Sequence, residues 1–385
     1  MGWLSLTDPE VVINWEKDLY REIALSDPLL DESKGLAGES DGKLCQVNLD
    51  LTQKPGGSIR VKKKYRLKGR GKVQDEVLKG SAAQYKTNTF ALFVDTIRQA
   101  VEVESPIQQQ WITEDALDES KDSLAIWFAE RIPLGLHLHA TGIDYITDDA
   151  YTLNNTIAAT HSEHIMRPNG KTAGNLTSND TLTVDFVNQL VTRLKLLKPK
   201  IAPAETPFGK KYVMFLSNEH VEQLRASNSD WFNIMRAAIQ GGRIDDNPIF
   251  GSALGVFHDV LFMETDLLPP GLNSGGTAFK DKTRRAWVGG AQSLLLGYGA
   301  GWAAPGFALN KFRWDTEADD FAHRKQIAAT TIIGGVAPVF TTPGEVSPRQ
   351  NAIVVAETHA DYGSGLSSST VYDPWLQIAG TSVEA

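Results

Sequence analysis

An α+β fold is the class that this 385-residue sequence predicts, and three observations predict it. Period-two alternation marks the early part of the chain, helical spacing dominates the middle, and short apolar runs of strand character close it. No regular strand–helix alternation and no internal repeat accompanies them, which separates the chain from parallel α/β proteins and solenoids.

The first expected element is an amphipathic arm. Thr7 or Asp8 can cap a helix with Pro9 at its first position and Glu10 near the positive end of the dipole. Val12, Trp15, Leu19 and Ile23 then form one narrow apolar stripe. Such a stripe needs a surface to lie on, which makes Trp15 and Leu19 candidate contacts with a neighbouring copy. After Asp27-Pro28, the Gly-, Ser- and Asp-rich run from Asp31 to Gly42 reads as a linker.

The second element is basic. Residues 1–50 carry eleven acids and four bases, whereas Lys54 to Lys72 holds nine bases and no acid. Within that stretch Ile59, Val61, Tyr65 and Leu67 occupy odd positions, and Arg60, Lys62, Lys64, Arg66 and Lys68 occupy even ones. Period two means a strand with one cationic face. Gly69 and Gly71 end it, and a second β-rich run, Thr87 to Val94, follows, so the sequence predicts a long hairpin over residues 55–100. Three uses fit the cationic face: an edge strand protected by lysines, a nucleic-acid ribbon, or a contact with acidic surface on a neighbouring copy.

Ser105-Pro106 opens a helix whose apolar positions Ile107, Trp111, Leu117, Leu124, Trp127 and Phe128 continue to a stop at Pro133. A second helix begins at a Thr183 cap and runs through Val184, Val187, Leu190, Val191, Leu194 and Leu197 to Pro199. Lys211 to Leu216 reads as a buried strand and Ser217 opens a helix through Leu224. Gly271 to Gly276 reads as loop, Ala286 to Ala304 as a small-residue, Gly-rich run, and Thr330 to Phe340 and Ala352 to Glu357 as strands.

Composition narrows the function classes. A hydrophobic fraction of 42% supports a real core, and the net charge of −9 argues against nucleic acid as the default partner. One cysteine, Cys45, can form neither an internal disulfide nor a Cys-rich zinc site. No apolar run approaches the ~20 residues that span a bilayer, and the Met-Gly-Trp-Leu-Ser start is no secretion signal, so no membrane partner is expected.

Catalytic patterns are weak. His137-Leu138-His139 resembles the paired histidines of metal-dependent hydrolases, and that is the competing functional reading. His161-Ser162-Glu163-His164 has the spacing of helical metal ligands without a second Glu-x-x-His. Gly251-Ser252-Ala253-Leu254-Gly255 is not a nucleophile elbow, because its serine directly follows the first glycine. Gly271 to Thr277 lacks the Gly-Lys-Ser/Thr ending of a phosphate loop, Gly297-Tyr298-Gly299-Ala300-Gly301 has no strand–turn–helix pattern around it, and both read as flexible or close-packed backbone. Adjacent acids at Asp148-Asp149, Asp245-Asp246 and Asp319-Asp320 read as solvated loops. The sequence therefore predicts no enzyme, no cofactor and no metal.

Several blocks, in order, resemble the major capsid proteins typified by coliphage N-four, a branch of the tailed-phage capsids with the Hong Kong 97 fold. They are Trp15 to Glu22, Val47 to Thr52, Pro55 to Val61, and a central block from Lys211 to Ser217 followed by Leu224-Arg225, Trp231, Asn247 to Phe250 and Gly251 to Val256. Arg284-Arg285-Ala286, Gly289 to Ser293, Ile333 to Val336 and Ala352 to Val355 complete them. Residues 145–182, residues 344–350 and the tail after Asp361 depart from the pattern.

The resemblance implies a Hong Kong 97-like capsid fold: an N-terminal arm (1–50), an extended hairpin loop (51–102), a peripheral domain with a spine helix (103–175), an axial domain (176–330), and a return to the peripheral domain with a C-terminal tail (331–385). It implies a major capsid protein that self-assembles into hexamers and pentamers, forming the icosahedral shell around double-stranded DNA in a tailed phage virion. Arg60, Lys62, Lys64, Arg66 and Lys68 would lie on acidic surface of an adjacent subunit. A scaffolding protein, a portal and decoration proteins are the further partners, with packaged DNA nearby and not specifically bound. The chain begins at Met1, so scaffolding is expected as a separate protein and not as a cleaved N-terminal segment.

Overall fold

The computed structural model describes residues 27–384 apart from 32–33, 50, 52–55, 65–69, 75, 77–78, 80–85, 104–115, 199, 228–254, 258, 300–311, 320–323, 342–346, 363–373 and 378–382. In chain order its elements are β1 (Ala37–Gly38), β2 (Cys45–Asn48), β3 (Ser58–Lys64), β4 (Thr87–Phe93), β5 (Asp95–Val103), α1 (Ala116–Thr141), β6 (Ile165–Met166), α2 (Val184–Leu196), β7 (Ala204–Thr206), β8 (Gly209–Leu216) and α3 (Asn218–Ser227). They continue with β9 (Gly255–Phe257), β10 (Val260–Glu264), β11 (Gly271–Leu272), β12 (Phe279–Lys280), β13 (Thr283–Gly289), β14 (Leu294–Tyr298), β15 (Phe312–Asp319), β16 (Arg324–Val336), β17 (Val339–Phe340), β18 (Arg349–Gln350), β19 (Ile353–His359) and β20 (Val383–Glu384).

Two sheets organise this α+β chain. One runs β6-β19-β13-β8-β10-β9 with β7 beside β8, and the other runs β1-β2-β14-β16-β15 with β5 beside β16. The first is covered on both faces. Val213, Phe215, Trp287, Ile353 and Val355 pack with Leu124, Phe128, Ile132 and Leu136 of α1, while Tyr212, Met214, Val288 and Val354 pack with Phe186, Leu190 and Leu194 of α2 and Leu224 of α3. This double burial is why β8 reads as an unbroken apolar run, not an alternating one.

The helix α2 starts where the sequence places it: the Thr183 hydroxyl accepts a hydrogen bond from the Phe186 amide at 3.2 Å. The strand and helix expected from Lys211 and Ser217 are β8 and α3.

The spine helix corrects an expectation. It passes through Pro133 and ends at Thr141, where Gly142 adopts φ +64° and donates to the Leu138 carbonyl at 3.0 Å, a left-handed glycine stop. An interior proline costs a helix roughly 3 kcal/mol. Here every residue from Ile132 to Ile143 is buried, and that packing holds the helix together through the proline. Twenty-six residues make it ~39 Å long. The expected start at Ser105 lies outside the described residues.

One further expectation is corrected. The hairpin is shorter than 55–100, because β5 leaves it and pairs with β16 across Asp95 to Val103. The small-residue, Gly-rich run that starts at Ala286 holds the end of β13 and all of β14, and every residue of both strands is buried.

Candidate functional site

The β3–β4 hairpin is the described element whose structure the chain leaves half finished. Among the described residues its two strands pair only with each other, in the register Ile59↔Leu92, Val61↔Phe90 and Lys63↔Asn88. An isolated two-stranded ribbon is marginal in water, so something must hold it. One face does so by apolar packing: Ile59 and Leu92 are buried with Leu51, Leu295 and Val336, and Val61, Phe90 and Val94 pack around them.

Glycines make room for this seat. A Cβ at Gly297 would stand 2.6 Å from Ile59 Cδ1, and one at Gly334 would stand 1.9 Å from the Phe93 carbonyl oxygen. Of the two readings of Gly297, flexible or close-packed backbone, the structure contains the close-packed one.

The root of the hairpin is clamped by Asn155. Its Oδ1 accepts from the Phe93 amide at 3.0 Å and its Nδ2 donates to the Phe93 carbonyl at 2.9 Å. Asn154, in the left-handed region at φ 63°, donates to the Asp95 and Ile333 carbonyls. The Asn154-Asn155 pair, which departs from the capsid pattern in sequence, thus replaces ladder bonds at the point where the chain crosses from hairpin to sheet.

Lys63 interrupts the apolar parity of β3 and has its own seat. Its Nζ donates to Asn351 Oδ1 and lies 5.0 Å from the centroid of the Phe340 ring. Burial pushes the amine down to about 8.

The opposite face is cationic, as the alternation predicts. Arg60, Lys62 and Lys64 are exposed while Ile59, Val61 and Lys63 turn inward. Thr89 and Thr87 stand across from the two lysines, and Phe93, 58% exposed, ends the same face opposite Ser58. Arg66, Lys68, Trp15 and Leu19 lie outside the described residues. Sequence reasoning missed Asn155 and Lys63. The Asn-Asn dipeptide and a charge at an apolar-parity position were the available signals.

The histidines have structural partners. His137 Nδ1 accepts from Trp287 Nε1 at 3.0 Å, which leaves its Nε2 facing Asp27 Oδ2 at 3.4 Å. Burial alone would raise the Asp27 carboxyl, yet the His137 ring and hydrogen bonds from Thr265 and the Leu29 amide hold it below its usual range. His139 donates to the Thr152 carbonyl at 2.7 Å, and burial lowers it to about 4. Both sit on a helix, not a strand, and point at different partners, so the hydrolase-like pairing does not form. His161 to His164 is likewise a turn, with His164 bonded to the Ile353 carbonyl at 2.7 Å. Among the described residues no group of three His, Cys, Asp or Glu side chains is placed to hold a metal ion, and no helix is long and apolar enough to cross a membrane.

A second buried charge cluster is also structural. Glu357 accepts from Arg285 and Arg167, each at 3.0 Å, and Arg285 donates to the Thr141 carbonyl at 3.0 Å, tying β13 and β19 to the end of α1.

Comparison with known proteins bears on the family and the fold. A family described as phage capsid protein matches residues 5–358. No curated protein sequence matches the chain. Among solved structures, the capsid of Ralstonia phage GP4 is similar at a TM-score of 0.67 and 19% identity, over 86% of this chain and 90% of that one. The capsid of cyanophage Pam1 follows at 0.62 and 17%, over 86% and 92%, and the head of Helicobacter pylori bacteriophage KHP40 at 0.59 and 12%, over 88% and 91%. The fold is of the Hong Kong 97 type.

Proposed function

The chain belongs to the phage capsid protein family, as a structural protein of the virion shell, and from that premise we propose that it is the subunit from which hexameric and pentameric capsomers of an icosahedral, DNA-filled head are built. The observation that carries this reading is the half-finished hairpin: one face seated on Leu295 and Val336, the other presenting Arg60, Lys62 and Lys64 outward. A lone globular protein gains little from such a ribbon, whereas in a shell an adjacent subunit can cover it.

Shell closure sums many weak contacts, so shape and complementary charge set the fit more than any single site. On this reading residues 1–50 act as the arm, α1 as the spine of the peripheral region, and the α2–α3 side of the seven-stranded sheet as part of the axial region. Scaffolding, portal and decoration proteins are further partners, and DNA is enclosed without specific binding. A single-stranded nucleic-acid ribbon is the weaker use of the same face, since its described residues include only one exposed aromatic side chain, Phe93.

Electron microscopy of the expressed full chain tests the reading directly. Shells or capsomer rings are expected, and a chain that stays monomeric under all conditions overturns it. Lys62→Glu with Lys64→Glu should impair particle formation while the monomer stays folded by circular dichroism; normal particles from that double variant would remove the hairpin from the mechanism.

A further inference from the structure

The stretch that matches the capsid family ends at residue 358, and the chain beyond it makes its own attachments to the body. Asp361 pairs with Lys282 at 3.4 Å, and the Tyr362 hydroxyl donates to Asp281 Oδ1 at 3.1 Å. The next described segment is Pro374–Gln377, a short 3-10 helix in which Trp375 is fully buried. Its indole stands edge-on to Phe279, with ring centroids 6.1 Å apart, and its Nε1 donates to the Leu267 carbonyl at 3.1 Å. Leu134 and Leu138 of α1, Ile143, Tyr145 and Leu272 pack in the same cluster. Further on, β20 adds to β12 in parallel, with Val383 opposite Phe279.

Three features distinguish this from ordinary core. Every other member of the cluster comes from residues 134–157 or 272–279, so among the described residues the tail contributes Trp375 alone. The wall is built by the body. Second, the covalent connection does not position the ring. The eleven residues 363–373 span up to ~36–40 Å when extended, whereas they join attachments at Asp281 and Phe279, which are about 7 Å apart along the chain. Seven of the eight residues 363–370 are Gly, Ser or Thr, the composition of a linker. Third, the Leu267 carbonyl takes a donor at the far end of an apolar recess, and an indole supplies both the apolar body and the N–H.

We propose that the recess between the last two turns of α1 and the β11–β12 pair is a peptide-docking site selective for a tryptophan side chain, with the Pro374–Gln377 segment of the chain's own tail as its tethered ligand. A short tether holds its anchor at an effective concentration on the order of millimolar, so a modest intrinsic affinity keeps the site filled. Strand addition by β20 supplies main-chain bonds beside the anchor. The filled site also buttresses α1 beyond Pro133, because Leu134 and Leu138 share their cluster with the indole.

A cut in the full chain tests this. A specific protease site placed between Ser367 and Ser368 frees the tail without removing any residue. The cut tail should co-elute with the body at high concentration and leave on dilution, and a synthetic peptide of residues 371–385 should then rebind saturably with a Kd on the order of 10 μM. Trp375→Ala in that peptide should weaken binding by about 100-fold. Trp375→Phe, which fills the recess without a donor for the Leu267 carbonyl, should weaken it by about tenfold. With the site empty, hydrogen exchange should rise at residues 134–141 and stay unchanged at 116–130.

A cut tail that separates and does not rebind, or a Trp375→Ala peptide that binds like the native one, would overturn the proposal. So would a body that loses its circular dichroism as the tail leaves, since Trp375 is then plain core. A dimer of the uncut chain that Trp375→Ala abolishes would place the tail on a second copy and overturn the assignment within one chain. None of these outcomes touches the shell reading, whose test is the particle itself.

Discussion

The β3–β4 hairpin and the second half of α1 both carry basic side chains on regular elements, and the fold treats them in opposite ways. On the hairpin Arg60, Lys62 and Lys64 stay in water while their alternates turn inward. On α1 His137 and His139 are buried completely, each facing a partner on a different side of the helix. The difference lies in what burial costs. An imidazole can give up its proton and still satisfy both ring nitrogens, whereas a guanidinium or ammonium taken from water needs a partner for its charge. Lys63 is the intermediate case: it falls on the buried side and is tolerated through Asn351, the Phe340 ring and a depressed pKa.

The sharpest break of this comparison is His137→Leu. It removes the acceptor of the Trp287 indole and one partner of the buried Asp27 carboxylate, and should cost about 3–5 kcal/mol in urea unfolding. A loss below about 1 kcal/mol would mean that the buried network carries no weight.

Acid gives the next effect. The His139 pKa falls from 6.5 to about 4 on folding, so the unfolded chain binds the proton more readily. Its stability contribution is complete above pH 6.5 and is lost as the pH falls toward 4, about 3 kcal/mol in all. His139→Gln keeps a donor for the Thr152 carbonyl and should flatten stability across that window. His220, also lowered to about 4 by burial, should leave part of the slope in place.

At the hairpin root, Asn155→Ala leaves both backbone groups of Phe93 without their clamp and should cost about 1–3 kcal/mol. Hydrogen exchange should rise at 58–64 and 87–93 before it rises in β8, which separates loss of the seat from global unfolding.

The smallest effect is at Lys63. Its folded pKa lies below the unfolded value, so the penalty is present below about pH 8 and fades as the pH rises toward 10.5. Lys63→Met should therefore stabilise the chain at pH 7 by less than about 1 kcal/mol, since solvent reaches part of the amine. The gain should vanish near pH 10.5, and a gain that grew with pH would reverse the assignment.

Local signals were legible in sequence wherever one physical cause acted alone. The alternation from Ile59 to Lys64 gave the buried and exposed faces of β3, because a strand's period is set by backbone geometry. Thr183 marked the start of α2 because its hydroxyl caps locally. Pro133 misled for the converse reason: a proline's local cost is a few kcal/mol, and the packing of Leu134, Leu136 and Leu138 outweighs it. Gly142, the true stop, looks in sequence like any other glycine. The departure of β5 from the hairpin was also hidden, since Asp95 to Val103 has the composition of a continuing ribbon and only its pairing with β16 places it in the body.

By itself, then, the sequence determined periodicity, caps, the sign of charge on each strand face and, through the order of its blocks, the capsid resemblance. These depend on neighbours within a few residues or on direct comparison of letters. Tertiary structure decided which periodic faces are covered. It put His137 against Trp287, Asn155 on Phe93 and Gly334 under the Phe93 carbonyl, contacts 150, 62 and 241 residues apart along the chain. Burial is a property of the whole packed chain, and so are the cost of a charge, the tolerance of a proline and the surface left over for another copy to cover.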